Sequence, residues 1–225
     1  MRIISLALLA GAIACTAGCI GGIGIPGMGP DPVAQHIDTM KSNAMVMYFI
    51  NFHASPKVGQ FAVVKDGQGE SWYGIVGGKP GAWEVEKRYV VPGAEKKAAL
   101  LMIVDDKGMV SKAYAAPYDA EAKEKPEGVE VKVMEKPKPA AAGEAQKGPE
   151  PKWSKEKVGD VETDRMDLDK TTIWYSKTAL FATYLDTDKV DPHGGMIKMS
   201  YDGKVISEQV KSGEGKIEPS FKLKP

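Results

Sequence analysis

Cysteine is almost absent from this sequence: the chain has 225 residues and two cysteines, Cys15 and Cys19. Cys15 lies within residues 1–18, the N-terminal segment that we interpret below as a removable signal. The remaining chain then keeps Cys19 as its single thiol, at its first position. It therefore has no cysteine pair for an internal disulfide, no cysteine metal site and no cysteine nucleophile.

Histidine is nearly as scarce, since the chain has three: His36, His53 and His193. None of them belongs to a His-x-x-x-His or Glu-paired spacing, so the sequence predicts no zinc site. The sequence also lacks a Gly-x-Ser-x-Gly elbow, a Ser-x-x-Lys motif and a phosphate-binding loop. We therefore predict that the protein is not an enzyme and has no catalytic residues, cofactor or metal ligands, although a triad built from distant residues leaves no such motif.

The chain has no excess of charge of either sign. Lysine and arginine together number 30, aspartate and glutamate together number 30, and the formal net charge at pH 7 is +0. Because no net field attracts a polyanion, we predict no nucleic-acid partner. Beyond the N-terminus, no apolar run is long enough to span a membrane.

The N-terminus has the anatomy of a bacterial signal peptide over residues 1–18. Arg2 supplies a positive start, residues 3–14 form a short apolar stretch, and small residues precede Cys19. This resembles the bacterial lipobox, Leu-Ala/Ser-Gly/Ala-Cys, with Thr16 in place of leucine. The resemblance implies cleavage before Cys19 and lipidation of Cys19, which would attach the protein to a membrane. Two alternatives remain open: an ordinary secretory signal with incidental cysteines, and cleavage before Cys15.

Residues 19–30 are rich in glycine and proline, which predicts a flexible tether between the lipid and the folded part. Such a tether reaches at most about 30 Å when extended. Ile20, and not aspartate, follows Cys19, which favours the outer membrane, facing the periplasm, over retention in the inner membrane. We therefore expect a lipid-anchored cell-envelope protein whose folded part begins near Asp31.

Residues 31–52 predict one long amphipathic helix. Asp31 is a good cap, and Pro32 suits the first helical turn. Apolar residues then recur at spacings of three and four, so we place the helix at about 32–52 and expect its apolar end, 45–52, to be buried. The residues of this stripe are Val33, Ile37, Met40, Ala44 and Met47.

From Gly59 onward the apolar residues recur with a period of two, which predicts strands. Residues 83–91, 129–133 and 197–201 alternate between apolar and mostly polar side chains, as in strands with one buried face. Residues 98–104 are apolar on both faces, so this strand should be covered on both sides. Glycine-rich turns separate the segments. The pattern predicts a mainly β (α+β) fold, in which about nine or ten antiparallel strands follow one N-terminal helix as a meander.

Residues 136–152 interrupt this pattern. They contain four prolines and no bulky apolar side chain, which is typical of a disordered linker. The segment could separate two domains, but the roughly five strands after it offer little independent core. We therefore predict one β-rich domain at 31–225, with this segment as an insertion.

Two further patterns have both a functional and a structural interpretation. Acidic residues at 160–169, and a second group at Asp186, Asp188 and Asp191, suggest calcium. Neither matches an Asp-x-Asp-x-Asp-Gly loop, so we interpret them as solvated loop carboxylates. The tryptophans could line a ligand cavity or fill the core of the sheet, and we favour the core. They are Trp72, Trp83, Trp153 and Trp174.

Several stretches together resemble a known layout: residues 58–64, 72–77, 172–176 (Thr-Ile-Trp-Tyr-Ser) and 194–203 (Gly-Gly-Met-Ile-Lys-Met-Ser-Tyr-Asp-Gly). The layout is similar to that of many uncharacterised bacterial lipoproteins and of the outer-membrane lipoprotein-sorting (LolA/LolB-like) proteins. The resemblance implies a strongly curved antiparallel sheet, a half-barrel, wrapped around a helix and enclosing an apolar cavity. It transfers no functional residue. It favours binding of an apolar ligand or lipid, and the alternative is a structural or protein-interaction envelope lipoprotein without a small ligand.

Overall fold

The computed structural model describes residues 30–52, 56–136, 150–179, 181–182 and 193–223, with the backbone alone for 51–52 and 181–182. Several predicted features lie outside these residues and stay predictions. They are the signal peptide at 1–18, the lipidation site Cys19, the tether at 19–30 except its last residue, the insertion at 136–152 over residues 137–149, His53, and the acidic group Asp186, Asp188 and Asp191.

The described residues form one helix and fourteen strands. Their bounds are α1 Pro32–Ser42, β1 Asn51–Phe52, β2 Gln60–Asp66, β3 Gly69–Lys79, β4 Ala82–Val90, β5 Lys97–Val104, β6 Val110–Tyr118, β7 Glu127–Val131, β8 Lys152–Val158, β9 Val161–Leu168, β10 Thr171–Ser176, β11 Phe181–Ala182, β12 Gly195–Tyr201, β13 Lys204–Glu214 and β14 Lys222–Leu223.

Twelve of these strands form one continuous sheet, in the order β14-β7-β6-β5-β4-β3-β2-β13-β12-β10-β9-β8, and β1 pairs with β11 separately. The structure confirms the prediction of a mainly β fold with a curved, open sheet on one helix. The sheet has twelve strands where about nine or ten were predicted. β14 is two residues long and β8 is largely polar, so neither strand has the apolar alternation by which strands are recognised.

The strands do not follow a single meander. Strands β2 to β7 form one antiparallel run, and β8, β9, β10, β12 and β13 form a second. The two runs meet where β13 pairs with β2, with Ser212 opposite Ala62 and Lys211 opposite Val63. At one edge β14 adds to β7 in parallel. The β2–β13 pair therefore makes one sheet from two parts of the chain that are far apart in sequence.

The helix begins as predicted but ends ten residues earlier than predicted. The Oδ1 atom of Asp31 accepts a hydrogen bond from the backbone N–H of Val33 at 3.0 Å, and Pro32 occupies the first turn. The helix ends at Ser42, whereas the prediction extended it to residue 52. In the described part of the chain, no helix is long and apolar enough to cross a membrane.

The predicted end of the helix was wrong because residues 46–50 bond to the sheet instead. The backbone N–H of Val46 donates to the carbonyl of Lys132, and the N–H of Ile50 donates to the carbonyl of Gly108. Val46 is buried, but Met45 and Met47 are 42% and 48% exposed. Backbone pairing to residues just after β7 and just before β6 thus overrides the helical spacing of the apolar residues in this segment.

The main core lies between α1 and strands β3 to β7. Val33, Ile37 and Met40 of the helix are buried against a large cluster of side chains from these strands. β5 is covered on both sides, as predicted from its apolar residues. Leu100 belongs to the core under the helix, whereas Leu101 packs on the other side against C-terminal residues that include Phe221.

A buried carboxylate fixes this C-terminal segment to the sheet. The Glu86 side chain is fully buried in β4 and accepts hydrogen bonds from the backbone N–H and the hydroxyl of Ser220, at 2.7 and 2.6 Å. The Nε atom of Arg88 donates to the same carboxylate at 2.6 Å. The Arg88 guanidinium also lies 4.0 Å from the ring centroid of Trp72 and donates to the carbonyl of Glu218. We call these contacts the Glu86 clasp.

Candidate binding face of the outer strands

The register of the sheet defines which side chains share a face with helix α1. Val85 of β4 packs in the core under the helix, so this side is the helix-side face. Side chains alternate between the two faces along each strand, and residues paired on neighbouring strands share a face. Through these pairs the helix-side face can be followed from β4 through β2 and β13 to the outer strands β8, β9, β10 and β12. In the outer strands, Ile173 lies opposite Met199 on the helix-side face, and Trp174 lies opposite Lys198 on the opposite face.

A second apolar cluster occupies the helix-side face of the outer strands. It consists of residues of β9, β10 and β12 and includes none from α1. Half of its side chains are methionines, whose unbranched chains adapt to irregular shapes. We call it the methionine cluster; its buried members are Met166, Ile173 and Tyr175, and its partly buried members are Leu168, Met196 and Met199.

Along β8 and β9 the helix-side face changes from apolar to charged. Trp153 of β8 lies beside the methionine cluster, opposite one of its members. The next helix-side pair along the two strands is Lys155 opposite Asp164, and the pair after it is Lys157 opposite Glu162. The methionine cluster therefore ends at a rim of alternating positive and negative side chains.

His193 lies across the outer strands on this face. Its Nδ1 atom is 2.8 Å from Oδ2 of Asp164 in β9, and its ring stacks on Trp153 of β8 with centroids 3.8 Å apart and an interplanar angle of 15°. The Trp153 ring is in turn 5.8 Å from the ring of Tyr175. Because His193 precedes β12, it reaches β9 and β8 by crossing over β10. The connection from β10 to β12 is therefore held against the helix-side face at its end.

A cleft of ≈ 720 Å³ opens at the charged end of the face. Tyr175 lines the cleft and also belongs to the methionine cluster, so the two adjoin. His193 and the turn at 176–178 line one part of the cleft, and residues 155–157 and 160–164 of the β8–β9 hairpin line the rest. The outer strands thus place a partly buried apolar cluster and a polar cleft side by side.

The opposite face of the outer strands carries charges that pair with one another. Glu156 accepts hydrogen bonds from Nε1 of Trp174 at 3.1 Å and from Arg165 at 3.0 Å, and these bonds, with that of Trp174 foremost, hold the pKa of Glu156 below its usual value. Arg165 also bonds to Asp167 at 3.1 Å, and the two carboxylates raise the guanidinium pKa. Lys198 lies 5.4 Å from the Trp174 ring centroid. This face is a solvated, internally neutralised surface.

The two histidines that the structure describes, His36 and His193, lie in different parts of the fold. His36, which the helical spacing places on the polar side of α1, is half-buried, and its Nε2 atom is 2.9 Å from the hydroxyl of Tyr89. Burial lowers the pKa of His36 and raises the pKa of Tyr89 to about 12. His36 is therefore a polar contact between the helix and β4, whereas His193 lies at the candidate face.

The other predicted candidates are dispersed. Of the acidic stretch at 160–169, Asp164 faces His193 and Asp167 faces Arg165. Among the residues that the structure describes, no group of three or more histidine, cysteine or acidic side chains is arranged to hold a metal ion. Trp83 is buried in the core, in line with the favoured interpretation, but Trp153 is 42% exposed on the candidate face.

Sequence reasoning missed the residues that form the methionine cluster. The alternation of Ile173 and Tyr175 is a sequence signal that they share one face of a strand. No signal in the sequence indicates that Met166 and Met199 lie on the two strands beside them, because strand pairing is set by the register of the fold.

The comparisons with known proteins add no relative from which a role could be transferred. No protein-family model matches the chain, and no curated protein matches it. The candidate face is therefore defined by the geometry of the sheet.

Proposed function

We propose that this protein is anchored in the bacterial cell envelope through a lipid on Cys19, at the outer membrane facing the periplasm, and that its helix-side face binds an apolar ligand or lipid. The observation that supports the ligand part is the methionine cluster, which lies on the same face as the helix but apart from it. The anchor part is supported by the sequence of residues 1–19.

The dimensions of the sheet support a binding role for the outer strands. The 11 residues of α1 give a helix about 16 Å long. The 12 strands of the sheet, at about 4.8 Å apart, extend over roughly 50 Å. The helix therefore covers the core on β3 to β7, and the outer strands have a second, partly buried apolar cluster of their own.

The side chains of this surface suit a ligand of variable shape. Met196 and Met199 are partly buried, and the thioether chain changes rotamer at little cost while it keeps its apolar contacts. Tyr175 brings an aromatic ring with a polar tip to the end of the cluster. An acyl chain lying along β9, β10 and β12 would gain from each methylene that leaves water.

A different observation favours the alternative, an envelope lipoprotein that binds another protein and no small ligand. Four apolar side chains of the β12–β13 hairpin are between 42% and 51% exposed. Several exposed apolar side chains on one hairpin suit contact with a partner protein. They are Tyr201, Val205, Ile206 and Val210. A partner that is crosslinked in cells to the wild-type protein, and lost with Val205→Ser/Ile206→Ser but kept with Met199→Trp, would support this alternative.

Metabolic labelling with a clickable fatty-acid analogue tests the anchor. We expect labelling of the wild-type protein and of Cys15→Ala, and no labelling of Cys19→Ala. Cys15→Ala is the matched control because it changes the other cysteine of the same signal. Labelling of Cys19→Ala at the wild-type level would overturn the assignment of Cys19.

Native mass spectrometry of the protein released from bacterial membranes tests the ligand. We expect an added mass on the wild-type protein and a loss of most of it in Met199→Trp, because the larger indole fills the surface of the cluster. Met134→Trp is the matched control, since Met134 is 40% exposed and belongs to no cluster of the core. Wild-type protein that is consistently free of ligand would contradict the proposal.

A further inference from the structure

The candidate face is apolar at one end and charged at the other, which matches a ligand with an apolar part and a polar part. On β9 the helix-side residues are Leu168 and Met166, followed by Asp164 and Glu162. The apolar pair belongs to the methionine cluster, and the acidic pair lines the cleft. A purely apolar ligand would use the first half of this face and leave the cleft unused.

The cleft adjoins the methionine cluster at one shared residue. Tyr175 belongs to both, and its strand neighbour Ser176 lines the cleft. A volume of ≈ 720 Å³ is in the range of a small-molecule pocket. It therefore accommodates a polar head whose apolar tail lies on the methionine cluster.

Three of the acidic side chains that line the cleft already have a hydrogen-bond or ion-pair partner. Asp164 is paired with His193 at 2.8 Å, and Glu162 lies 4.0 Å from Lys157. Glu156, which also lines the cleft, is bonded to Arg165 and Trp174 on the opposite face.

Two lysines remain at the cleft with no partner among the described residues. Lys155 and Lys177 both line the cleft, and neither forms an ion pair or side-chain hydrogen bond there. One carboxylate of the lining, Asp160, likewise has no ion pair or side-chain hydrogen bond among the described residues. The lining as a whole contains three lysines and four carboxylates. Of its three charged side chains without a partner among the described residues, two are lysines, and this pair suits a single anionic group.

We propose that the ligand of this face is amphipathic and carries one anionic head group, a carboxylate or a phosphate, which Lys155 and Lys177 hold in the cleft while the tail lies on the methionine cluster. This inference rests on the proposed function, because it concerns the same face. It adds the charge of the head group and the two side chains that select it. Lys155 comes from β8 and Lys177 from the turn after β10, so they approach the head from two sides of the cleft.

Displacement of a fluorescent apolar dye from the full chain carrying Cys19→Ala tests the inference. The probes are oleate and oleyl alcohol, which share one tail and differ in the charge of the head. We expect oleate to bind roughly five- to tenfold more tightly than the alcohol, as for two partly exposed ion pairs. Lys155→Gln/Lys177→Gln should remove this preference and leave the affinity for oleyl alcohol unchanged. Lys112→Gln, an exposed lysine of β6 outside the cleft, is the control.

The outcomes separate the inference from the proposed function. Equal affinity for oleate and oleyl alcohol in the wild-type chain would overturn the anionic head group and leave apolar binding intact. Displacement by neither probe would overturn apolar binding itself. Acetate and inorganic phosphate are added as tail-free anions. Competition by either at concentrations similar to oleate would assign the cleft to a free anion and would overturn the amphipathic ligand.

Discussion

Replacing Glu86 by glutamine tests whether one buried carboxylate holds the C-terminal segment on the sheet. The Glu86 side chain is 0% exposed and accepts three hydrogen bonds, from the backbone N–H and hydroxyl of Ser220 and from Nε of Arg88, at 2.7, 2.6 and 2.6 Å. Glutamine keeps the shape of the side chain but loses its charge. Its amide nitrogen would also point N–H donors at groups that are themselves donors.

The cost of this change follows from the burial of the pair. Removing one partner of a buried ion pair costs about 3–5 kcal/mol, because the other charge is left without compensation. The Arg88 side chain is 21% exposed, so water can solvate part of the guanidinium. We therefore expect a loss near the lower limit, about 3 kcal/mol. For a domain of this size, that lowers Tm by roughly 6–12 °C.

Urea denaturation measures the loss, and hydrogen exchange locates it. The backbone N–H of Ser220 bonds to Glu86, so its exchange should accelerate in Glu86→Gln. Glu84→Gln is the matched control, because Glu84 lies on the same strand and the same face but is only partly buried. A loss below about 1 kcal/mol in Glu86→Gln, or an equal loss in Glu84→Gln, would refute the reasoning on the Glu86 clasp.

Three further predictions concern the helix contact and the candidate face. Burial lowers the pKa of His36 below its usual 6.5, so the folded state prefers the neutral ring. The free energy of unfolding should therefore fall as the pH drops through 6.5 toward the pKa of His36 in the folded protein. In urea titrations at pH 7 and pH 5, His36→Gln should reduce this difference in stability. Ultraviolet titration should show one tyrosine that ionises at a pKa of about 12, and this step should be missing in Tyr89→Phe. Gly194→Ala should cost roughly 3 kcal/mol and weaken dye binding, because φ is +101° and the added Cβ would overlap the carbonyl of Ser176. Gly203→Ala, with φ of +75° and open space around it, should cost only about 1 kcal/mol, and equal losses would exclude the overlap.

The sequence predicts the parts of the fold that depend on local chemistry. The start of α1 at Asp31 and Pro32 follows from capping, which needs only neighbouring residues. The double coverage of β5 follows from its own apolar residues, since Leu100 and Leu101 must both leave water. In both cases the feature is determined by residues of a single element: the capping residues of α1 and the apolar side chains on the two faces of β5.

The end of the helix shows why local spacing is not sufficient. Val46 and Met47 continue an apolar pattern that suits a helix, but the backbone of this segment bonds to Lys132 and Gly108. These partners lie about 60 to 90 positions further along the chain, and nothing in residues 43–50 reveals them. A segment that gains hydrogen bonds with strands gives up helical ones at little net cost, since the two kinds are similar in strength.

The candidate face depends even more on pairing than the helix does. Tyr175, Asp164 and His193 come from two strands and a turn. In the sequence they are three separate features: a tyrosine in the stretch 172–176, an aspartate in the acidic stretch 160–169 and an isolated histidine. Their meeting requires the register of β9 on β10, because a slip of one residue would move Asp164 to the opposite face. The same slip would exchange Met166 for Arg165 on the helix-side face. The register therefore determines the chemistry of the face, and a variant that alters it should lose the methionine cluster and the proposed site for an anionic head group together.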